Sequence, residues 1–405
     1  MKKWTTIASI DVGTTKVCTI LAEADDGGGM RVIGVGITPS HGLHKGLVVN
    51  INEAREAIKE SVRQAEQASA RKIESAYIGV TGRHVSSLNN RGVVAITRND
   101  RLVRSDDLKR VLACAQSVKI PSDRKLLHVI PRGYAIDGQP GVKNPVGMHG
   151  FRLDVETHII TAAVASVQNL VKCIRGIGIE IDDLILEPLA SSEAVLTEDE
   201  KQVGVILADI GGGTTDIAVF RDGSIWHTAV IPVAGYQLTR DISIGLGLPF
   251  DVAEQMKKRY GSVMPVYEAK ATTTNAITED GHGVSHQDLC DIIRARVEEV
   301  LRLILLELPQ SEYEALIPAG LVLTGGSSNL SGIEALGRTV LQLPVRVGIP
   351  TSMYGIADAL HDPAYATGVG LLLWGMKHQG KQTWQAGGVG SGLRRIMTRF
   401  IRLFH

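Results

Sequence analysis

Two short segments of this chain combine an acid, a glycine turn and paired hydroxyls. One is Asp11-Val12-Gly13-Thr14-Thr15-Lys16; the other is Asp209-Ile210-Gly211-Gly212-Gly213-Thr214-Thr215-Asp216. A phosphate chain is held by backbone N–H groups that approach it closely, which glycine permits because it lacks a Cβ. Thr14, Thr15, Thr214 and Thr215 add hydroxyl donors, and Lys16 adds a cation. A carboxylate at the end of the preceding strand, Asp11 or Asp209, can hold a hydrated Mg²⁺, which prefers one or two carboxylates plus waters and phosphate oxygens. Either turn alone could be a plain tight turn. Together, with acids and hydroxyls in corresponding positions, they point to one phosphate site built from both. No GxxxxGK[ST] and no GxGxxG is present, so a P-loop or Rossmann site is excluded. A third turn, Leu323-Thr324-Gly325-Gly326-Ser327-Ser328, reads alone as a strand-to-helix connection. As a third member of the set it suits the adenosine end of a nucleotide.

The elements that must position these turns repeat. Residues 4–38 and 203–231 share one grammar: a β-branched strand ending in Asp, a Gly/Thr turn, a second strand, a polar Gly turn and a third strand. Two such units about 200 residues apart predict a duplicated architecture with a cleft between its halves. Helices are expected over 52–70, 235–244, 251–260 (stopped by Gly261) and 285–308, the last with Ser285 and Asp288 in capping-box spacing. Strands alternating with helices make the chain α/β. Residues 84–162 interrupt the pattern with short strands (93–97, 126–136, 153–160) around one helix beginning at Ser105, as expected of a small inserted α+β domain. The loop 137–150 is expected to be exposed. Residues 378–392 are Gly/Gln-rich without periodicity and read as a flexible linker.

A length of 405 residues is two to three times that of a typical domain, and 44% apolar with 21% charged residues excludes wholesale disorder. Lys+Arg and Asp+Glu balance at 43 each, so no global basic surface argues for nucleic acid. The balance is uneven along the chain. No acid follows Asp362, whereas Lys377, Lys381, Arg394, Arg395, Arg399 and Arg402 do, giving the tail +6 and the body −6. Over 393–405, at about 100° per residue, Leu393, Ile396, Met397, Phe400, Ile401, Leu403 and Phe404 fill one continuous arc of about 160°. Arg394, Arg395, Thr398, Arg399, Arg402 and His405 fill the rest. Such a helix is about 20 Å long, too short to span a bilayer, and suits the interface, with arginines at anionic headgroups. Docking on the protein's own core or a partner groove is the competing reading. Cys18, Cys114, Cys173 and Cys290 are far apart and form no CxxC, so buried reduced thiols are expected. With no signal peptide and no long apolar run, a cytosolic protein is the default expectation.

Several longer stretches add to the turns: LHVIPRGYAID (127–137), KNPVGM (143–148), LASSEAVLTEDE (189–200), DIGGGTTDIAVF (209–220) and VLTGGSSNL (322–330). With these the chain resembles the actin, heat-shock-chaperone and sugar-kinase ATPase superfamily, and within it the FtsA family of bacterial division actins. The resemblance implies an actin-like duplicated ATPase fold, two lobes around a nucleotide cleft, and a 1C-type insertion replacing the actin domain found elsewhere in the fold. The implied division is 1–83, 163–194 and 357–377 for the first lobe, 84–162 for the insertion, and 195–356 for the second lobe. A linker (378–392) and a membrane helix (393–405) follow. It implies ATP or ADP with Mg²⁺ as cofactors, with Gly13, Thr14, Thr15 and Lys16 in the first phosphate loop and Gly211, Gly212, Gly213, Thr214 and Thr215 in the second. Gly325, Gly326 and Ser327 would form the adenosine loop and Gly235 the turn beneath the nucleotide. Glu254 and Lys257 would flank ribose and base, and Asp11 and Asp209 would lie near the metal. Glu187 sits where chaperone-like ATPases place a water-positioning acid, although a carboxylate capping the following helix is the plain reading.

The resemblance further implies a peripheral protein at the cytoplasmic face of the inner membrane, at the division septum. There it would form filaments, recruit later division proteins and tether FtsZ by that protein's C-terminal peptide. At most weak ATPase activity is expected. Two alternatives share much of this pattern: a PilM-like pilus adaptor, and a sugar-kinase-type phosphotransferase, which would need a substrate pocket with a catalytic Asp. A chaperone would need a large domain after the nucleotide domain. His41 and His44, and His282 and His286, lack the spacing or ligands of a metal site.

Overall fold

Alternation along the strand Trp4–Val12 decides how the first lobe is layered. The structure, a computed structural model, describes residues 4–25, 29–264, 276–279, 282–308, 317–351, 353–356 and 358–378. Ala8, Ile10 and Val12 face one side, covered by Ala54, Ile58 and Val62 of the helix Ile51–Ser69 and by Val167 and Val171 of the helix Val164–Arg175. Ile7, Ser9 and Asp11 face the other side. There Ile7 joins Leu189 and Ala190 of the helix Glu187–Val195 and Val369 and Leu372 of the helix Ala366–Lys377. Ser9 Oγ donates to Gly368 O (2.8 Å). The sheet runs in the order Glu180–Leu186, Ser75–Val80, Trp4–Val12, Lys16–Asp25, Met30–Pro39, Tyr354–Gly355. Its hairpin strands pair antiparallel and its crossover strands parallel.

The second lobe repeats this plan with the order Ser224–Ile231, Thr215–Arg221, Val205–Ile210, Leu321–Thr324, Val345–Val347. Ile206, Ala208 and Ile210 are covered by the helices Gly235–Leu246, Phe250–Tyr260, His286–Leu306 and Ile333–Leu341. On the opposite face, Val205, Leu207 and Ala218 enter the same core as Ile7, Leu189 and Val369. One apolar core is therefore shared by both sheets, with two helices between them. Those helices are in near backbone contact: a Cβ on Gly370 would lie 1.9 Å from Ala190 O. The expected helices form with shifted ends. Asn50 caps Ile51–Ser69, Ser285 Oγ accepts from Asp288 N (3.3 Å) at the start of His286–Leu306, and Phe250–Tyr260 ends at Gly261.

The insertion is an antiparallel sheet ordered Val85–Ala95, Arg152–Ala163, Arg124–Ile136, Gln139–Val142. The helix Ser105–Gln116 covers one face with Leu108, Val111 and Leu112 against Ile96, Leu153 and Val155. Its first strand begins at Val85 rather than near Val93. The polar run Ser86–Asn90 has no apolar alternation because its side chains serve a seam with the second lobe. Ser87 Oγ donates to Thr228 O (2.9 Å) and Asn89 Nδ2 to Trp226 O (3.2 Å). Buried His158 bridges Asn89 Oδ1 (2.7 Å) and Thr228 Oγ1 (2.9 Å). The stretch 137–150, expected as an exposed loop, is mostly exposed and contains the short strand Gln139–Val142. The linker beyond His378 and the segment 393–405 lie outside the described residues. Among the described residues no helix is long and apolar enough to cross a membrane.

The helix contact at Gly370 gives a direct test. Gly370→Ala drives a methyl into a carbonyl and should lower stability by about 2 kcal/mol, the range of core overpacking. Gly133→Ala, whose Cβ would meet nothing within 4 Å, should stay within about 0.5 kcal/mol. Thermal or urea melts of the two variants check the contrast.

Candidate functional site

The two acid-turn segments fold into equivalent hairpins. Val12 pairs with Val17 and Ile210 with Thr215, leaving turns of matching length, each closed by one backbone bond: Gly13 N to Lys16 O (3.0 Å) and Gly211 N to Thr214 O (2.9 Å). The turns meet face to face across the lobes. A Cβ on Gly212 would lie 2.4 Å from Thr15 Oγ1, and one on Gly213 would lie 2.5 Å from Thr14 Oγ1. Glycine is required there by approach rather than by dihedral angle. Thr14 Oγ1 also accepts from Gly46 N (3.2 Å).

The third turn closes against the second. Gly325 takes φ +85°, and a Cβ there would lie 2.3 Å from Asp209 Oδ1. Ser327 Oγ donates to Gly211 O (3.0 Å), and Gly235 N donates to the same oxygen (3.1 Å). Gly326 follows in the short helical turn Gly326–Asn329. Beneath Gly235, Lys257 Nζ donates to Gly235 O (3.2 Å) and Thr239 Oγ1 (2.8 Å) and pairs with Glu254 at 2.6 Å. Burial alone would raise the Glu254 carboxyl, but Lys257 and the hydrogen bonds around it hold it below the usual range.

Four buried carboxyls converge at the cleft floor: Asp11, Glu187, Asp209 and Asp216. Asp209 Oδ2 accepts from Ser191 Oγ (2.6 Å) and Thr367 Oγ1 (3.1 Å). Asp216 accepts from Thr81 of the first lobe and from Thr214 Oγ1 (2.8 Å). Lys16 Nζ donates to Ala364 O (2.5 Å) and lies 4.8 Å from the centre of the Tyr365 ring. Burial, with Asp209 adding to it against Lys16, pushes Asp11 up to about 6. Burial pushes Asp216 up to about 7 against the Thr81 hydrogen bond, with the Asp209 charge adding to it, the Thr214 hydrogen bond opposing it and the Asp11 charge adding least. Glu187 is raised well above its ordinary range by burial and then by Asp11, Asp216 and Asp209. Asp209 is raised by burial despite its two hydroxyl donors and Lys16. Glu187 does not cap its helix: Leu186 holds that position and no side chain caps it.

This donor set, acids facing glycine turns and one ammonium, fits a hard cation with a phosphate chain. Among the described residues no group of three or more His, Cys, Asp or Glu side chains is arranged to hold a metal ion. A cation that keeps several waters, as Mg²⁺ does, would need only one or two of these carboxylates. The structure brings every cleft residue named from the sequence to one place. It adds Thr81, Ser191, Asp216, Ala364 and Thr367. Of these, Asp216 had a sequence signal, since across a four-residue turn strand register sets it opposite Asp209, and Ser191 lies in the stretch 189–200 that carries the family resemblance.

Asp216 gives a pH prediction with a definite sign. Its folded value, near 7, lies above the ordinary 3.8, so between about pH 4 and 7 the folded chain binds more protons than the unfolded one, and this group's contribution to stability falls as pH rises. Asp216→Asn removes that loss. The melting-temperature difference between the variant and the natural chain should move in the variant's favour by several degrees from pH 5 to pH 8. A difference flat across that range would contradict it.

Comparison with known proteins places these features in a lineage. Residues 206–370 match the family model described as cell division protein FtsA, and 82–161 match the SHS2 domain inserted in FtsA. Cell division protein FtsA of Pseudomonas aeruginosa is 45% identical over 92% of this chain and 90% of its own length. That of Neisseria meningitidis is 40% identical over 98% and 97%, and that of Escherichia coli K12 is 36% identical over 91% and 90%. Among solved structures, the PilM-PilN type IV pilus biogenesis complex superposes with a TM-score of 0.66 at 18% identity, covering 91% of this chain and 98% of that one. MreB5 of Spiroplasma citri bound to ADP gives 0.53 at 13% identity, covering 91% and 95%. At these identities the structural likeness shows an actin-like ATPase fold, and the sequence identities show descent. The chain belongs to the FtsA family of actin-like cell division proteins.

Proposed function

We propose that this cell division protein binds ATP·Mg²⁺ between its lobes, polymerises, and tethers FtsZ filaments to the cytoplasmic membrane through residues 393–405. The observation that carries the nucleotide reading is the face-to-face approach of the two turns, with Gly212 against Thr15 and Gly213 against Thr14. Backbone N–H groups of Gly13 to Thr15 and Gly211 to Thr214 would cradle the phosphates, with Lys16 as counter-ion. Asp11 and Asp209 would orient the waters of Mg²⁺, whose charge offsets that of the β- and γ-phosphates. Gly325, Gly326 and Ser327 would line the adenosine, with Gly235, Glu254 and Lys257 on its other side. Glu187 would orient water for a slow hydrolysis. Solved MreB5 structures with ADP and AMPPNP support a nucleotide in this fold. Family membership favours the division role over the pilus role of the PilM complex.

Gly212→Val places a side chain where Thr15 Oγ1 already lies and should abolish ATP binding in calorimetry while the protein stays folded. Unchanged affinity in a folded variant would mean the site is misplaced.

The membrane reading rests on the segregation of Leu393, Ile396, Met397, Phe400, Ile401, Leu403 and Phe404 from Arg394, Arg395, Arg399 and Arg402. Removing 393–405, or changing Phe400 and Phe404 to Asp, should release the protein from anionic liposomes without loss of ATP binding. It should also end the liposome co-sedimentation of FtsZ that depends on this protein. Retained lipid binding by the truncated chain at the same salt would overturn the anchor.

A further inference from the structure

His84 stands where the chain leaves the first lobe for the insertion. Its carbonyl accepts from Ala163 N (3.3 Å), where the chain returns, and from Arg124 Nη2 (3.0 Å) of the insertion. The backbone at His84 thus holds both crossing points together. Its ring turns into an interior cavity between the first lobe's sheet and the helix Val164–Arg175, walled by Val80 and Leu170 and carrying Thr81, Ser166 and Glu187. Gly82, at φ +126°, makes room for the ring: a Cβ there would lie 2.9 Å from His84 Nδ1. Both ring nitrogens are buried, and neither has a hydrogen-bond partner among the described residues.

Two unpartnered imidazole nitrogens in a cavity are costly unless something answers them. The cavity leaves about 20 Å³ for the centres of water-sized spheres, enough for one water, and its four polar side chains supply the contacts such a water needs. Glu187 lines the same space and also feels the charges of Asp11, Asp216 and Asp209.

We propose that His84 is a positioning residue for Glu187: one water in the cavity donates to a ring nitrogen of His84 and hydrogen-bonds one Glu187 carboxyl oxygen, leaving the second carboxyl oxygen as an acceptor toward the cleft. This rests on the nucleotide reading and adds a residue to it. Burial, then the neighbouring Arg124 charge, pushes His84 down to about 4, so the ring is neutral and can accept. A carboxyl held by one oxygen on the cavity side presents its other oxygen on the cleft side. That oxygen can accept a hydrogen bond from a water near the γ-phosphate and fix its orientation. Because the donor of this order is the residue that anchors the insertion, a partner that shifts the insertion would disturb it.

The test uses the full chain with ATP and Mg²⁺, measuring ATP affinity by calorimetry and hydrolysis by single turnover. His84→Leu should lower the hydrolysis rate at least tenfold with ATP affinity within twofold. His84→Asn, whose side-chain oxygen stands near the Nδ1 position, should recover to within threefold of the natural chain. In a Glu187→Gln background, His84→Leu should cost less than a further twofold, because the two residues act as one unit. Natural turnover in His84→Leu, an equal loss in both backgrounds, or a natural chain that binds ATP yet hydrolyses none would each overturn the proposal. Failure of the natural chain to bind ATP in the same calorimetry would instead overturn the nucleotide reading beneath it. Should His84→Leu fail to fold, as judged by its melt, His84→Asn and His84→Gln carry the comparison, and loss in His84→Asn equal to that in Glu187→Gln would count against the proposal.

Discussion

Burying Asp11, Glu187, Asp209 and Asp216 around one ammonium is the constraint on which the rest of the structure depends. Taking an ionised carboxylate out of water is expensive unless hydrogen bonds and counter-charge offset it. The chain meets part of that cost with hydroxyls: Ser191 and Thr367 on Asp209, Thr81 and Thr214 on Asp216. Another part shows as a tighter hold on protons, with Asp11 and Asp216 raised above the usual carboxylate range. What is left is a concentration of acids that a hydrated divalent cation would relieve. Small residues border it: a side chain at Gly325 would run into Asp209, and one at Gly212 or Gly213 into the facing Thr15 or Thr14.

The donors to these acids come from both lobes and from both central helices. Ser191 belongs to the helix Glu187–Val195 and Thr367 to the helix Ala366–Lys377, and the two helices touch through Gly370 and Ala190. Both sheets bury apolar side chains against that pair. A change of charge at Asp209 is therefore felt by the elements on which both lobes rest. The insertion adds a second bridge, with polar contacts through Ser87, Asn89 and His158 to Trp226 and Thr228, beside the apolar Ile160, Leu127 and Ile130, which pack into the shared core.

Much of this was written in the sequence because it is local. Hairpin register is set by turn length and strand alternation, so DVGTTK and DIGGGTTD fix which residues reach the turn. The apolar stripe of His286–Leu306 and the Asn50 and Ser285 caps likewise depend on neighbours a few residues away. The insertion was visible as a break in the pattern, but the first part of its first strand was not. Ser86 to Asn90 are strand residues whose partners, Thr228 and Trp226, are far along the chain, and polar residues that bond at a distance look like loop.

Only the tertiary structure decided which groups share the cleft floor. Thr81, Ala364 and Thr367 are ordinary residue types with no motif around them, and the stretch that holds Ser191 does not say what its hydroxyl meets. They matter because the two sheets and the helices between them place them against Asp209, Asp216 and Lys16. Sequence spacing identifies a residue's neighbours on its own strand or helix; it carries no record of which strand lies opposite. His84 shows the same division. Its type suggests nothing, and its meaning comes from a cavity formed by elements that begin at Trp4, Ser75, Val164 and Glu187. Local rules of turn and period determined the phosphate-type turns, while packing between segments hundreds of residues apart determined the protonation of the acids behind them.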